Sequence, residues 1–221
     1  FLKEKFFYRS DLSKISKWIK YGMPVSIWSS LGLLLPYLDR YYIAKYLDSE
    51  ALGIYSSASE LSIRVFSFFI FPFIMALHPR IIKMWNSGKR GKAIKAIDLS
   101  INVVFLLLVV LVLVVSLFND FIFSIFKYAI PAIPYEARNI ILPLLLTGAI
   151  WQLSFLTHKM IELKEETHLM ILFILFSVFI NFIGNNFFLP AHGIIASAYT
   201  SLVSASSYCL LSFLYYKINN H

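Results

Sequence analysis

Four charged residues stand within stretches that are otherwise apolar: Asp39, Arg40, Glu60 and Arg64. Glu60 and Arg64 are four residues apart, so on a helix they share one face, about 6 Å apart along the axis with the acid N-terminal to the base. A charge at the centre of a bilayer costs roughly 2.5–3.5 kcal/mol, and less toward the interfaces. Such groups are expected to face one another, or a watered cavity between helices, rather than lipid. Counted from the outer ends of their segments, Asp39 and Arg40 lie about 9–11 Å deep, Glu60 about 13 Å and Arg64 about 19 Å. In a helical hairpin that geometry permits Arg40–Glu60 and Asp39–Arg64 pairs. Two readings stay open: a structural set of ion pairs with zero net charge, or the polar lining of a cavity in the outer half of the bilayer. In the second, the planar fork of arginine suits the oxygens of a diphosphate.

Weaker candidates sit further along. Asn181 and Asn185 share a helical face and suit either interhelical hydrogen bonds or sugar hydroxyls. The last apolar segment carries small residues at helical spacing, Gly193, Ser197, Ser201 and Ala205 on one stripe and Ala196, Thr200, Ser204 and Ser207 on another. That pattern lets helices approach closely, or lines a hydroxyl path. His158, Lys159 and Glu162 are expected at an inner interface. The sequence has no Gly-Xaa-Ser-Xaa-Gly elbow, no Walker loop, no carboxylate cluster and no histidine pair at ligand spacing. No catalytic residue, metal ligand or cofactor is therefore expected, and no enzyme.

The elements that position these groups are membrane helices. Of the 221 residues 59% are hydrophobic, 17% aromatic and only 14% charged, where a soluble domain carries about 25% charge. The mean hydropathy of +0.73 agrees. The lone Cys209 lies in an apolar run, which excludes a disulfide framework. The chain opens Phe1-Leu2-Lys3 without the pattern of a signal peptide and reads as beginning within a longer protein.

Six spans of about 20 or more residues are expected, over about 21–46, 51–77, 99–118, 139–160, 167–189 and 194–216, each long enough for a ~30 Å hydrocarbon core. Residues 1–20, with six basic groups and Leu12, Ile15, Trp18 and Ile19 at helical spacing, read as an amphipathic linker helix on the membrane surface, or as a solvated basic linker. Residues 21–217 then form one transmembrane lobe. Between the third and fourth spans, residues 119–138 suggest a re-entrant or interfacial piece, and Pro190-Ala191-His192-Gly193 reads as a tight turn. With both ends cytoplasmic, the inside segments hold fifteen Lys and Arg and the outside loops three, as the positive-inside rule requires. The net charge of +8 is thereby explained by topology and anionic headgroups, without nucleic acid.

The run Lys20-Tyr21-Gly22-Met23-Pro24, then Leu38-Asp39-Arg40-Tyr41-Tyr42-Ile43-Ala44, then Leu52-Gly53-Ile54-Tyr55-Ser56 resembles bacterial oligosaccharide flippases of the polysaccharide-biosynthesis (O-antigen flippase) family. These belong to the multidrug/oligosaccharidyl-lipid/polysaccharide exporter superfamily. The resemblance is good over about residues 17–85; beyond them only helix count and loop lengths agree. It implies an all-α integral membrane protein, this chain being the C-terminal six-helix lobe of a twelve-to-fourteen-helix transporter in the bacterial inner membrane. It also implies alternating access that moves an undecaprenyl-diphosphate-linked oligosaccharide from the cytoplasmic to the periplasmic leaflet, for surface polysaccharide such as lipopolysaccharide O-antigen. The implied partners are that lipid-linked oligosaccharide, the phospholipid bilayer and the N-terminal lobe. Asp39 and Arg40 match the Asp-Arg of the family's motif, whereas Glu60 and Arg64 match no fixed motif. Two other classes remain: a drug or cation antiporter of the same superfamily, with Glu60 or Asp39 as the coupling carboxylate, and a truncated, non-transporting membrane protein whose charges are only structural.

Overall fold

A computed structural model describes residues 12–131 and 133–219, and among these it is helical throughout, with no strand. The helices are α1 (Leu12–Tyr46), α2 (Ser49–Asn86), α3 (Arg90–Leu117), α4 (Asn119–Ala129), α5 (Arg138–Thr157), α6 (Lys159–Leu163), α7 (His168–His192) and α8 (Ile194–Asn219). Four spans are long and apolar enough to cross a membrane: α3, the α5–α6 pair, α7 and α8. A fifth is added if α2 counts as one span, since its halves Ser49–Phe68 and Ile70–Asn86 meet at a 44° bend. The 35-residue α1 is long enough but is not among them. Its Ser, Gly, Pro and Tyr content and its Asp39-Arg40 pair keep it less apolar than its neighbours.

Local chemistry sets the breaks. Asp48 caps α2 by accepting the Ala51 N–H at 2.8 Å, which ends the hairpin turn after Tyr46. Gly193 has φ +62° and ψ −154°, a conformation open only to glycine, and it alone reverses the chain between α7 and α8. The tight turn expected at residues 190–193 is therefore one residue long. Pro190 and His192 lie inside α7.

Two other expectations change, and the piece expected between the third and fourth spans takes the form of an amphipathic helix. No break separates a surface helix from the first span: α1 runs unbroken through Lys20. Basic side chains do not interrupt a helix, so charge alone marks no boundary. Residues 1–11 of the expected linker lie outside the described residues. Residues 119–138 fold into α4, an amphipathic helix burying Phe123 and Phe126, and a short 3₁₀ turn at Tyr135–Ala137. Finally, α2 continues through the basic stretch as far as Asn86.

The packing leaves an opening between α1 and α2. α8 lies between α5 and α7, α1 packs chiefly on α7, and α2 packs chiefly on α5. α1 and α2 meet little, so they stand as two walls over a floor made by α5. Two close helix crossings fix this frame. A Cβ on Gly148 of α5 would lie 3.1 Å from the Ser62 carbonyl oxygen of α2, and one on Gly184 of α7 would lie 2.6 Å from Thr200 Oγ1 of α8. The outward faces of α3, α7 and α8 expose Phe105, Leu106, Phe176, Phe179 and Leu210, a surface suited to lipid.

Candidate functional site: a cleft above a buried aspartate

The two walls carry their polar residues on facing stripes. On α1, Ser29, Gly32, Pro36 and Arg40 follow one another at helical spacing; on α2, Glu60, Ile63, Arg64, Ser67 and Phe71 do the same. Between them lies a cleft of about 400 Å³ whose floor is Trp151, Gln152 and Phe155 of α5. From Glu60 to Phe71 the α2 wall is about 16 Å long. Its character grades along that length, from charged, through amide and hydroxyl, to aromatic.

At the charged end, Arg40 Nη2 donates to Glu60 Oε1 at 2.8 Å and Arg64 Nε donates to Glu60 Oε2 at 3.2 Å. Glu60 thus bridges two arginines, giving the triad a net charge of +1. Arg64 is 78% exposed and Glu60 47%, so the triad is open at the surface, one helical turn along each wall from the cleft-lining Pro36 and Ile63. The Arg40 guanidinium also lies over the Tyr37 ring at 5.5 Å, while its buried Nε has no partner. The Arg40–Glu60 pair is the one the hairpin geometry permitted. The Asp39–Arg64 pair does not form: Asp39 is buried, whereas the Arg64 side chain is largely exposed and bonded to Glu60.

Asp39 faces inward instead, and is 2% exposed. Four side-chain donors from three helices surround its carboxylate. Asn181 Nδ2 and Asn185 Nδ2 of α7 each donate to Oδ1 at 2.8 Å, Tyr55 O–H of α2 donates to Oδ2 at 2.9 Å, and Ser201 O–H of α8 donates to Oδ2. Asn185 in turn accepts from Ser197 O–H at 2.7 Å. A lone buried carboxylate is costly, and hydrogen bonds to its charged form offset that cost. No basic side chain pairs with it among the described residues. Beside it lies a chamber of about 20 Å³, bounded by Asp39, Ser59, Thr147, Asn181, Ser201 and Ser204 among others, which is room for one water-sized guest. Chamber and cleft share Pro36, Ile63 and Trp151 as a common partition.

Asn181 and Asn185 are thus brought to Asp39 rather than to the open cleft. Tyr55 and Ser201 carried no sequence signal that assigned them to this carboxylate; Ser201 stood out only as one of a small-residue stripe. A second cluster was expected at an interface and is buried. His158 and Lys159, at the α5–α6 break, are almost fully buried with Glu162. Lys159 Nζ lies 2.6 Å from Glu162 Oε2 and 2.8 Å from His78 Nδ1, and His158 Nδ1 lies 3.0 Å from the Tyr208 hydroxyl. His158 Nε2 approaches Glu162 Oε1 at 3.2 Å, an ionic distance without hydrogen-bond alignment. Their i, i+4 spacing was legible; the aromatic cover of Trp28 and Tyr208 was not.

A protein-family model described as "Polysaccharide biosynthesis protein" matches residues 1–85. That stretch holds α1 and all but the last residue of α2, so both cleft walls and Asp39, Arg40, Glu60 and Arg64 lie within it. No curated protein and no solved structure matches the chain. Over residues 1–85 the chain is similar to proteins of polysaccharide biosynthesis, and the four long apolar spans among the described residues beyond that stretch mark a multi-pass membrane protein.

Proposed function

We propose that this chain is the C-terminal half of a transporter, not an enzyme, that flips undecaprenyl-diphosphate-linked oligosaccharide from the cytoplasmic to the periplasmic leaflet of a bacterial inner membrane. Both cleft walls fall in the stretch similar to polysaccharide-biosynthesis proteins, and their charged end bears a net positive triad in an otherwise apolar lobe. That coincidence is the observation that carries the reading. A diphosphate brings negative charge that Arg40 and Arg64 can meet with planar donors, at the expense of Glu60 as their present partner. In this reading α1 is the first of six spans, both ends are cytoplasmic, and an N-terminal lobe closes the cleft into a cavity.

The test is made in the bacterium that encodes the protein. Loss of the gene should abolish surface polysaccharide and trap its lipid-linked precursor on the inner leaflet. Wild-type protein should restore export and Arg40→Ala should not. Unchanged surface polysaccharide without the gene would overturn the reading.

One observation favours the antiporter class as a second reading: Asp39, buried with no basic partner among the described residues and beside a chamber for one small guest. A proton or a small monovalent cation at Asp39 would supply the missing positive charge. Efflux of cationic dyes that persists in Asp39→Asn protein would remove that reading.

A further inference from the structure

Below the charged triad, the middle of the cleft is built differently. Gln152, 5% exposed, lies on the floor between Trp151 and Phe155. Its Nε2 donates to Ser67 Oγ at 3.0 Å, while Oε1 has no partner. A buried amide oxygen without a donor is uncommon, because its desolvation is uncompensated. The groups around it are half-buried or exposed aromatic rings, Trp151, Phe155 and Phe71, and the Ser29 hydroxyl on the opposite wall. Gly32 keeps the entrance clear, with no atom within 4 Å of where its Cβ would stand.

Aromatic faces next to one unsatisfied acceptor and two hydroxyls make a surface for a ring that is apolar on its face and rich in O–H donors at its edge. That is the chemistry of a pyranose. A hydrocarbon chain would leave Oε1 as unpaired as it is now, whereas a sugar hydroxyl donates to it. We infer that Trp151, Gln152 and Ser67 form a sugar-ring subsite in the cleft, with the Gln152 amide turning so that its buried Oε1 reaches the cleft and accepts from a pyranose hydroxyl while Trp151 packs against the ring face. The inference rests on the flippase reading for its physiological ligand, the glycan of a lipid-linked oligosaccharide, and deepens it by assigning a position to one sugar. The subsite lies about one to two helical turns from Arg64 along α2, so a sugar near the diphosphate reaches it while the diphosphate meets the arginines.

The protein in lipid nanodiscs free of glycoside detergent, carrying Trp18→Phe and Trp85→Phe so that Trp28 and Trp151 report, should be titrated with methyl glycosides of glucose, galactose, rhamnose and N-acetylglucosamine. At least one should change the tryptophan emission saturably. Gln152→Leu, which keeps the volume and removes the acceptor, should raise the half-saturation concentration at least about fivefold. Gly32→Leu, which fills the entrance where nothing crowds it, should do the same and serves if the first variant does not fold. Emission that saturates with none of the four glycosides, or equally in both variants, would overturn the subsite. The flippase reading fails separately: glycoside binding that survives while surface polysaccharide is unaffected by loss of the gene leaves the subsite and removes the flippase. Intact export with no glycoside response does the reverse.

Discussion

Asn181 donates to Asp39 across 142 positions of chain, with Nδ2 2.8 Å from Oδ1, and this bond ties α7 to α1 beneath the cleft. Asn185 repeats the bond one turn on, so α7 presents two amides to one carboxylate. The first wall of the cleft is therefore fixed to the body of the lobe through a buried ionisable group. A change in the charge at Asp39 would weaken the grip on α1 directly.

Replacing Asp39 by leucine should strand four donors at once. At roughly 0.6–1 kcal/mol for each hydrogen bond, the expected loss is about 2–4 kcal/mol. Thermal unfolding of the purified protein in one detergent measures it. Glu60→Gln, at a half-exposed site, should cost less than about 1 kcal/mol by the same assay. Equal losses at the two positions would contradict the placement of Asp39 as the buried anchor.

Gly184 and Thr200 make a sharper test of the α7–α8 frame. A methyl group at residue 184 would meet the Thr200 side chain at 2.6 Å, so Gly184→Ala should destabilise by about 1–3 kcal/mol. Thr200→Ala removes the obstructing atoms. The double variant should recover at least half of the loss, a coupling that a thermodynamic cycle on unfolding midpoints reads directly. Additive losses would mean that α7 and α8 do not cross at this point.

Arg40 and Arg64 should separate in an export assay although both touch Glu60. Arg40 is held by Glu60 and lies over Tyr37, whereas Arg64 is mostly exposed and held only within its own helix. Arg40→Lys keeps the charge but loses the planar fork and should lower surface polysaccharide clearly. Arg64→Lys should come close to wild type, and neither change should alter stability by more than about 1 kcal/mol. Export that follows charge alone, with Arg40→Lys at wild-type level, would show that the fork is not used.

What the sequence made legible follows from where the information lies. Asp39, Arg40, Glu60 and Arg64 stood out because a charge in an apolar run violates the local composition, and Arg40–Glu60 followed because the short Leu47–Asp48 turn fixes how the hairpin closes. Asn181 and Asn185 stood out by spacing. That both turn to Asp39, together with Tyr55 and Ser201, depends on helices packed across most of the chain, which no local pattern encodes. The same limit hid Gln152, an ordinary polar residue in an apolar helix until Ser67 takes one amide atom and leaves the other unpaired. The first span and the linker before it were divided at residue 20 because basic residues mark membrane interfaces. A helix responds to caps and prolines rather than to that interface, and α1 continues through it.

The Lys159–Glu162 cluster offers the last test, because there the cost of an unpaired charge can be isolated. Lys159 is almost fully buried, with its ammonium 2.6 Å from Glu162 and 2.8 Å from His78. Glu162→Gln removes the only carboxylate within ion-pairing distance of it among the described residues, and a buried ammonium left without its partner costs about 3–5 kcal/mol. Lys159→Met alone leaves Glu162 with only histidines beside it and should cost less, since Glu162 keeps some contact with solvent. Joining the two removes both charges, and the double variant should unfold above Glu162→Gln alone, at a midpoint near that of Lys159→Met. If Glu162→Gln unfolds at the wild-type temperature, Lys159 already has solvent to itself, and α2, α5 and α8 are not closed around it.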